Sequence, residues 1–250
     1  MSTPLVEDSE YRLMRAVEDR HWWFDGMEQI TARLFAELAL PPRERCEILD
    51  AGCGTGRNLG FLNGYGNVTG LDYSSVAVDC CRERGFEKLV CASVNELPFA
   101  DGQFNLVTSF DVIVTAGVDD KAALAEAWRV LKPGGWFFIR VAAYDWLRAR
   151  HDAQWHVAHR YVRGELRAKL MAAGFQVHTS SYANMWLLPV ALLKRWSERL
   201  VPPREESDLQ AGTGGRLNGL LEAILASEAR LIATSGLPCG LSLLALARKE

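Results

Sequence analysis

A glycine-rich segment near residue 50 has the composition of a ligand-binding turn. The apolar run Glu47–Ala51 leads directly into Gly52, Gly54 and Gly56. Because glycine has no Cβ, such a turn lets a ligand approach the backbone and directs amide N–H groups towards it. The same pattern also occurs in tight turns that bind nothing, so a second feature is needed to indicate a site.

An acidic residue at the end of the next apolar run supplies that feature. Asp72 follows Asp50 by about 20 residues, where a carboxylate can accept hydrogen bonds from both hydroxyls of a ribose. The dinucleotide fingerprint requires a further glycine for close helix packing, and Arg57 occupies that position. The spacing therefore favours a nucleoside-containing ligand other than a nicotinamide dinucleotide.

Hydrophobic periodicity places these residues in an alternation of strands and helices. Helices are predicted from Arg57, over Ser74–Arg84, over Asp119–Leu131 and over Arg163–Ala173. Such alternation favours right-handed βαβ units, and thus an α/β fold with a doubly wound, mostly parallel, Rossmann-like seven-stranded sheet. The predicted strands are Glu47–Ala51, Asn67–Asp72, Lys88–Ala92, Phe104–Asp111, Trp136–Ala143, Phe175–Tyr182 and Leu241–Ala247.

Two further segments have helical periodicity and lie outside this alternation. We expect an N-terminal helical lid (1–44), a ligand-binding core (45–183), a helical cap insertion (184–237) before the last strand, and the final strand of the core sheet (238–250). The insertion is more apolar than a plain cap requires. This indicates ordinary core packing, an apolar substrate pocket, or a face through which the protein forms a homodimer.

The overall composition disfavours several classes of partner. A net charge of −3 and a pI near 6 give no basic surface for a phosphate backbone, so we expect no nucleic acid partner. The cysteines lack metal-binding spacing, so we expect no metal and a reduced protein. The N-terminus lacks the features of a signal peptide, and the apolar stretch Met185–Leu193 is too short to span a bilayer. A cytoplasmic location without stable membrane insertion is predicted.

Five segments follow one another in the order of the motifs of a known enzyme class: Asp50–Gly56, Gly70–Ser74, Leu97–Phe99, Phe104–Val107 and Arg129–Gly135. They resemble the motifs of class I S-adenosylmethionine (SAM)-dependent methyltransferases, in particular the broad group that includes the ubiquinone/menaquinone-type enzymes. The preface to the core, residues 1–44, contains Glu18–Phe24, which is similar to the opening of a bacterial subgroup with a His-Trp-Trp-Phe signature. The resemblance implies that SAM is the cofactor and that residues 45–183 form its binding core.

The resemblance also implies roles for individual positions along the carboxyl ends of the strands. Asp50 and the amides of the glycine turn would surround the methionine portion of SAM, Asp72 would hold the ribose, and Tyr73 would lie against the adenine. The Ser93 hydroxyl and the Val94 amide would meet the edge of the adenine. The implied cofactor-binding residues are Trp23, Asp50, Gly52, Gly54, Gly56, Asp72, Tyr73, Ser93, Val94 and Asp111.

Two segments depart from the family pattern. The subgroup usually continues its aromatic signature with two arginines, whereas this chain reads Asp25-Gly-Met-Glu28, so an anion contact made by those arginines is missing. The segment Asp111–Val118 lacks the histidine that related enzymes commonly have near the cofactor. Trp22, Trp23 and Phe24 are still placed to cover the sulfonium with their rings, or to fix the preface to the sheet.

Methyl transfer from a sulfonium needs an aligned and desolvated nucleophile, and a hydroxyl acceptor also needs a base. His151, His156 and His159 follow the fifth strand, where the connection can reach a ligand, and Asp152 could orient an imidazole. These four residues are the predicted catalytic residues. The alternative is that they are solvated polar residues of a loop.

The sequence therefore predicts methylation of a small-molecule substrate, a partly hydrophobic biosynthetic metabolite, on oxygen. One alternative is a SAM-binding scaffold that catalyses a non-methyl reaction such as cyclisation or decarboxylation. Another is a peripheral methyltransferase that acts on lipid-linked substrates through the apolar insertion.

Overall fold

The computed structural model describes residues 8–148, 152, 155–198 and 215–250. Seven strands form one sheet in the order β3-β2-β1-β4-β5-β7-β6. The neighbours from β3 to β5 pair in parallel, whereas β7 is antiparallel to both β5 and β6. The predicted seven-stranded α/β sheet is confirmed, and it is a mixed sheet. Its strands are β1 (Glu47–Ala51), β2 (Asn67–Asp72), β3 (Leu89–Cys91), β4 (Phe104–Phe110), β5 (Leu131–Ala142), β6 (Phe175–Ala183) and β7 (Ser242–Lys249).

Helices connect most of the strands, and further helices precede β1 and lie between β6 and β7. Polar caps start two of them: the Ser74 hydroxyl accepts from the Ala77 amide, and Asp119 accepts from the amides of Lys121 and Ala122. The described helices are α1 (Asp8–Val17), α2 (Trp22–Phe35), α3 (Arg57–Leu62), α4 (Ser75–Glu83), α5 (Asp120–Val130), α6 (Arg163–Ala172), α7 (Leu188–Glu198), α8 (Gly215–Ala226) and α9 (Ala229–Thr234). Among the described residues, none of these is long and apolar enough to cross a membrane.

Helix α2 of the preface packs on the face of the sheet. Met27, Ile30, Leu34 and Phe35 are buried in the main core cluster. The Phe35 ring meets the Phe138 ring of β5 edge-on at 5.3 Å between centroids. The apolar surface on which α2 lies is therefore the sheet itself.

The cap helices pack against the preface rather than only against the sheet. Gly26 of α2 allows this approach, because a Cβ there would lie 2.8 Å from Cδ2 of Leu225 on α8. The Asn218 side chain accepts from the Trp22 amide and donates to the Arg20 carbonyl. Contacts between distant parts of the chain thus join the predicted lid to the predicted cap.

A buried glutamate anchors the beginning of the cap. Glu228, between α8 and α9, is fully buried, and its carboxylate accepts from the amides of Asn184, Met185 and Trp186 at 2.6–2.9 Å. Burial raises the pKa of Glu228, and these three N–H groups oppose the rise. Asn184 itself has a φ of +63°, so the chain turns sharply where β6 ends.

Replacing Glu228 by alanine should lower the free energy of unfolding by about 3 kcal/mol, because three buried amides lose a charged acceptor. Urea denaturation checks this. The matched control is Glu222→Ala on α8, whose carboxylate accepts one exposed hydrogen bond from Gln29, and it should cost about 0.5 kcal/mol or less. Equal costs for the two variants would show that Glu228 is not an anchor.

Candidate active site

The glycine turn between β1 and α3 has a left-handed backbone at each of its glycines. The φ values are +88° at Gly52, +52° at Gly54 and +85° at Gly56. A Cβ at Gly52 would lie 2.2 Å from Cγ2 of Val112, whereas a Cβ at Gly54 would have nothing within 4 Å. Gly52 is therefore required for packing within the protein, and Gly54 borders open space that a ligand can use.

Asp72 lies at the end of β2 and is fixed to this turn. Its Oδ2 accepts from the Gly54 amide at 2.8 Å and its Oδ1 from the Ser74 amide at 2.9 Å. Burial raises the pKa of Asp72, and the backbone N–H groups of Ser74, Gly54 and Tyr73 counter the rise. The carboxylate is thus oriented, and each oxygen keeps a lone pair for a further donor.

The amides of the glycines donate within the protein, which differs from the expectation that they face the cofactor. Gly52 donates to the Leu71 carbonyl and Gly56 to the Cys53 carbonyl, in addition to the bond from Gly54 to Asp72. The physical reason is that a turn this tight brings its own acceptors within reach of its N–H groups. What the glycines offer a ligand is close approach at Gly54.

Asp50 at the end of β1 carries a buried oxygen without a partner. Its Oδ1 accepts from the Thr108 hydroxyl at 2.8 Å, and its Oδ2 has no hydrogen-bond partner among the described residues. Burial raises the pKa of Asp50 to about 7; Thr108 and Arg140 oppose the rise, and Asp72 adds to it. An unpaired buried carboxylate is costly, so the site fits a ligand with a cationic donor.

A buried arginine that the sequence motifs did not indicate lies near this carboxylate. Arg140 of β5 is 6% exposed, and its Nε donates to Oδ2 of Asp111 at 2.7 Å. Its guanidinium lies 4.6 Å from the Trp23 ring centroid and 5.0 Å from that of Phe110. The available signal was a single charged residue inside an otherwise apolar strand. Asp111 and Trp23, both predicted site residues, meet through Arg140.

A second buried acid ties the preface to the glycine turn. Glu18, just after α1, accepts from the Thr55 hydroxyl at 2.5 Å and from Nη2 of Arg84 at 2.6 Å. Arg84 also donates through Nε to the Thr55 carbonyl. Burial raises the pKa of Glu18, and the bonds from Thr55 and Arg84 lower it. These contacts hold residues of the predicted lid directly against the turn.

The acidic residues that replace the arginines of the signature also have a partner. Nη2 of Arg57, at the start of α3, lies 2.7 Å from Asp25 and 3.2 Å from Glu28. The Arg57 guanidinium also lies 5.7 Å from the Phe24 ring centroid. The basic partner of these two preface acids therefore lies on the core, at the start of α3.

The remaining predicted cofactor residues follow β2 and β3 along the same edge of the sheet. The Tyr73 side chain is 47% exposed and comes directly after Asp72. The Ser93 hydroxyl accepts from the Asn95 amide at 3.2 Å, and Val94 packs partly buried against the core. The carboxyl ends of neighbouring parallel strands thus bring these residues towards the glycine turn.

The structure does not bring together those of the predicted catalytic residues that it describes. His151 lies outside the described residues. Both oxygens of Asp152 accept from Arg160, at 2.8 and 2.6 Å, in a buried ion pair. His156 is exposed with a φ of +50°. The described members of this set therefore occupy different environments.

His159 is held through both of its ring nitrogens. Nδ1 lies 2.9 Å from Oδ2 of Asp145, and Nε2 lies 2.9 Å from Oε1 of Glu165. Its ring also meets the buried Tyr161 ring edge-on at 4.5 Å. Because both nitrogens already have partners, this contact network suits a loop anchor better than a base, and the base role of His159 is not supported by the geometry.

Comparison with known proteins identifies the class to which this arrangement belongs. A methyltransferase-domain family matches residues 49–139. EEF1A lysine methyltransferase 4 of Bos taurus is 31% identical over 200 residues, which cover 73% of this chain and 76% of that protein. The chain therefore belongs to the methyltransferase-domain family, and it is a SAM-dependent methyltransferase with SAM as its cofactor. The unpaired oxygen of Asp50, the oriented Asp72 and the space at Gly54 fit that cofactor.

Further relatives act on tRNA. A tRNA (carboxymethyluridine(34)-5-O)-methyltransferase of Arabidopsis thaliana is 39% identical over 100 residues, which cover 39% of this chain and 24% of that protein. The chain spans about a quarter or less of the length of the first curated relatives that it matches. A methyltransferase in complex with the Haloferax volcanii Trm112 methyltransferase activator shares the fold, with 21% identity, a TM-score of 0.63 and 99% coverage of each chain.

These relatives correct the prediction about partners. A small-molecule acceptor with no nucleic acid partner was expected from the net charge of −3. That prediction is wrong, because the matching relatives include tRNA methyltransferases. The physical reason is that net charge reports affinity for a phosphate backbone and carries no information about the group that the active site methylates.

Proposed function

We propose that this enzyme methylates an oxygen of an RNA-linked acceptor, and that the acceptor group is a carboxylate carried by a modified base. The observation that carries the proposal is that His159, one of the three predicted histidine bases, already contacts carboxylates through both of its ring nitrogens. A hydroxyl acceptor would need a base, whereas a carboxylate is already deprotonated at neutral pH. The tRNA relatives, one of which acts on carboxymethyluridine, support the same acceptor.

SAM supplies a methyl group that is already activated on a positively charged sulfur. The protein must then hold the acceptor oxygen close to that group and exclude water from it. We propose that the preface excludes water as a lid. Glu18 joins it to Thr55 and Arg84, and Trp23 covers Arg140. Residues 1–44 and 184–237 would act together as this cover, because α2 and α8 pack on each other.

We assign the cofactor contacts along the carboxyl ends of the strands. Asp72 holds the ribose, Tyr73 lies against the adenine, and Ser93 with Val94 meets its edge. Asp50 accepts from the ammonium of the methionine portion. The support is the shared edge on which these residues lie and the unpaired oxygen of Asp50.

Replacing Asp72 by alanine should weaken SAM binding by roughly 2–4 kcal/mol, because two charge-assisted hydrogen bonds to the ribose are lost. Calorimetric titration with SAM measures this. Asp79→Ala is the matched control, since Asp79 is exposed on α4 and pairs with Arg82; its dissociation constant should stay at the wild-type value. A folded Asp72→Ala protein with wild-type affinity would remove Asp72 from the site.

Recognition of the RNA itself is proposed to need a second component. This chain has a net charge of −3, so it provides little of the phosphate neutralisation on which RNA affinity depends. The Haloferax volcanii structure of the same fold contains an activator protein. We propose that an activator subunit or an additional domain supplies the basic surface, while this chain supplies the methyl-transfer site.

The test is to incubate the enzyme with methyl-labelled SAM and total tRNA, with and without a cell extract as a source of activator. The label should enter RNA and be released as methanol by mild alkali, because a methyl ester of a carboxylate hydrolyses under these conditions. Alkali-stable label in RNA would contradict the carboxylate, and label in protein alone would contradict the RNA acceptor.

A second candidate acceptor is a protein lysine. It is favoured by one observation, the match to EEF1A lysine methyltransferase 4 over 73% of this chain. A lysine must lose its proton before it can attack, so this reaction needs a base. His151 and His156 remain the predicted candidates for that role. If one of them is the base, its alanine variant should lower kcat by ~10²–10⁴-fold.

Membership of the His-Trp-Trp-Phe subgroup also remains a prediction.

A further inference from the structure

Two buried side chains of opposite charge lie near each other in the site, and each has hydrogen-bonding capacity that the protein does not use. Oδ2 of Asp50 has no partner among the described residues. Arg140 donates through Nε to Asp111, and within the described part of the chain its Nη atoms make no hydrogen bond. Buried polar groups in proteins are normally satisfied, so the unpaired Oδ2 of Asp50 points to a missing ligand, and the Nη donors of Arg140 are available to the same ligand.

The two groups interact without bonding to each other. Asp50 lies beside Thr108 in the β1–β4 pairing and Arg140 lies beside Phe110, two residues further along β4, so both side chains leave the same face of the sheet. Arg140 also opposes the rise in the pKa of Asp50. Their known contacts are nevertheless separate, because Asp50 is bonded to Thr108 and Arg140 to Asp111. A ligand that presents an ammonium to one side chain and a carboxylate to the other would satisfy both.

The guanidinium is also held in a fixed orientation. The Trp23 and Phe110 rings lie 4.6 and 5.0 Å from it, and its bond to Asp111 restrains rotation about the side chain. A planar fork held in this way is suited to bidentate recognition of a carboxylate, since little rotamer freedom is lost on binding.

Other arginines near the glycine turn are already neutralised. Arg57 contacts Asp25 and Glu28, and Arg84 contacts Glu18 and Asp19. Arg140 contacts a single carboxylate oxygen. Of these three cations, Arg140 is the one whose ion pairs within the described residues involve a single carboxylate, which leaves it the most positive charge for an anionic ligand.

We propose that Asp50 and Arg140 form a clamp for the α-amino acid end of SAM, in which Oδ2 of Asp50 accepts from the ammonium and the Nη atoms of Arg140 donate to the carboxylate. Arg140 is thus a binding residue for the cofactor. Trp23, which contacts the guanidinium, is a positioning residue that links the preface to the clamp. The proposal concerns the cofactor and does not depend on the identity of the methyl acceptor.

Calorimetry with three ligands tests the clamp without any measurement of activity. S-Adenosylhomocysteine carries both groups, its decarboxylated analogue S-adenosyl-3-thiopropylamine lacks the carboxylate, and 5′-methylthioadenosine lacks both. Wild-type protein should bind S-adenosylhomocysteine roughly 30- to 100-fold more tightly than the decarboxylated analogue, as expected for a charge-assisted bidentate contact. Equal affinities in the wild-type protein would overturn the proposal before any variant is made.

The Arg140→Gln variant should lose that preference while it binds the decarboxylated analogue and 5′-methylthioadenosine within about threefold of wild type. Arg140→Lys, which keeps the charge but lacks the fork, should recover part of the preference. Arg248→Gln is the matched control. Arg248 of β7 also lies over a tryptophan ring, that of Trp136, but this pair lies within the β5–β7 pairing, away from the carboxyl end of β5. Its ligand affinities should be those of wild type.

Two results for Arg140→Gln would overturn the clamp. Wild-type affinity of this variant for S-adenosylhomocysteine would show that the Nη atoms do not bind the carboxylate of the cofactor. Equal weakening of all three ligands would show that Arg140 maintains the shape of the site and does not read the carboxylate.

Discussion

Replacing Gly54 by valine should weaken SAM binding by at least ~100-fold while the sheet stays folded. The Cβ position at Gly54 faces open space with nothing within 4 Å, so the added side chain would occupy the volume that the cofactor needs. The φ of +52° adds strain of about 1–3 kcal/mol for a side chain with a branched Cβ, which a folded domain can tolerate. Titration with SAM and circular dichroism on the same samples measure the two effects separately.

Gly52→Ala provides the contrast for this experiment. Its Cβ would lie 2.2 Å from Cγ2 of Val112, so the substitution should lower the melting temperature and act on the fold first. Folded Gly54→Val protein that still binds SAM normally would show that Gly54 serves only to make the turn. The pair therefore distinguishes the two uses of glycine within one short segment.

Replacing Asp50 by asparagine should stabilise the protein without SAM and weaken its binding of SAM. In the folded protein the pKa of Asp50 is about 7, well above its ordinary value of 3.8, because the carboxylate is buried. Between these two values the folded state binds the proton and the unfolded state does not, so stability falls as the pH rises through this window. Above pH 7 the full penalty applies, and asparagine removes up to about 4 kcal/mol of it.

Urea denaturation at pH 4 and at pH 8 checks the sign of this effect. The gain from Asp50→Asn should be small at pH 4 and close to its maximum at pH 8, since the Thr108 hydroxyl can still donate to the amide oxygen. With saturating SAM the wild-type protein should be the more stable of the two, because the variant has lost its partner for the ammonium. A gain of the same size at both pH values would mean that ionisation of Asp50 is not its cause.

The sequence by itself determined the elements whose signals are local. The bounds of β1 and β2 agree with the prediction, because an apolar run that ends in a glycine turn or an aspartate leaves little freedom for its ends. The caps at Ser74 and Asp119 lie where the predicted helices begin. The glycine turn after β1 and Asp72 at the end of β2 could be found from the sequence because their signals are also local.

A boundary moved where pairing overrode a local turn. The Pro133-Gly134-Gly135 segment predicted a strand that begins at Trp136, whereas β5 begins at Leu131 because Leu131 already pairs with Phe104 of β4. The Pro-Gly-Gly segment interrupts this pairing, which shows a shift of register between Phe104 and Leu106 of β4. A partner strand almost thirty residues away decided this, and no local propensity reports it.

Only the tertiary structure decided which charges face each other in the site. Glu18 and Arg84 are 66 residues apart in sequence, and Asp111 and Arg140 are 29 apart, yet each pair is bonded. The spacing of His151, His156 and His159 indicated that one of them is the base, but the fold places His159 between two carboxylates. Residue types and their local spacing fix what a strand, a turn or a cap can be. The partners of buried charges depend on long-range packing, because desolvation makes each buried charge bind whatever opposite group the fold brings near.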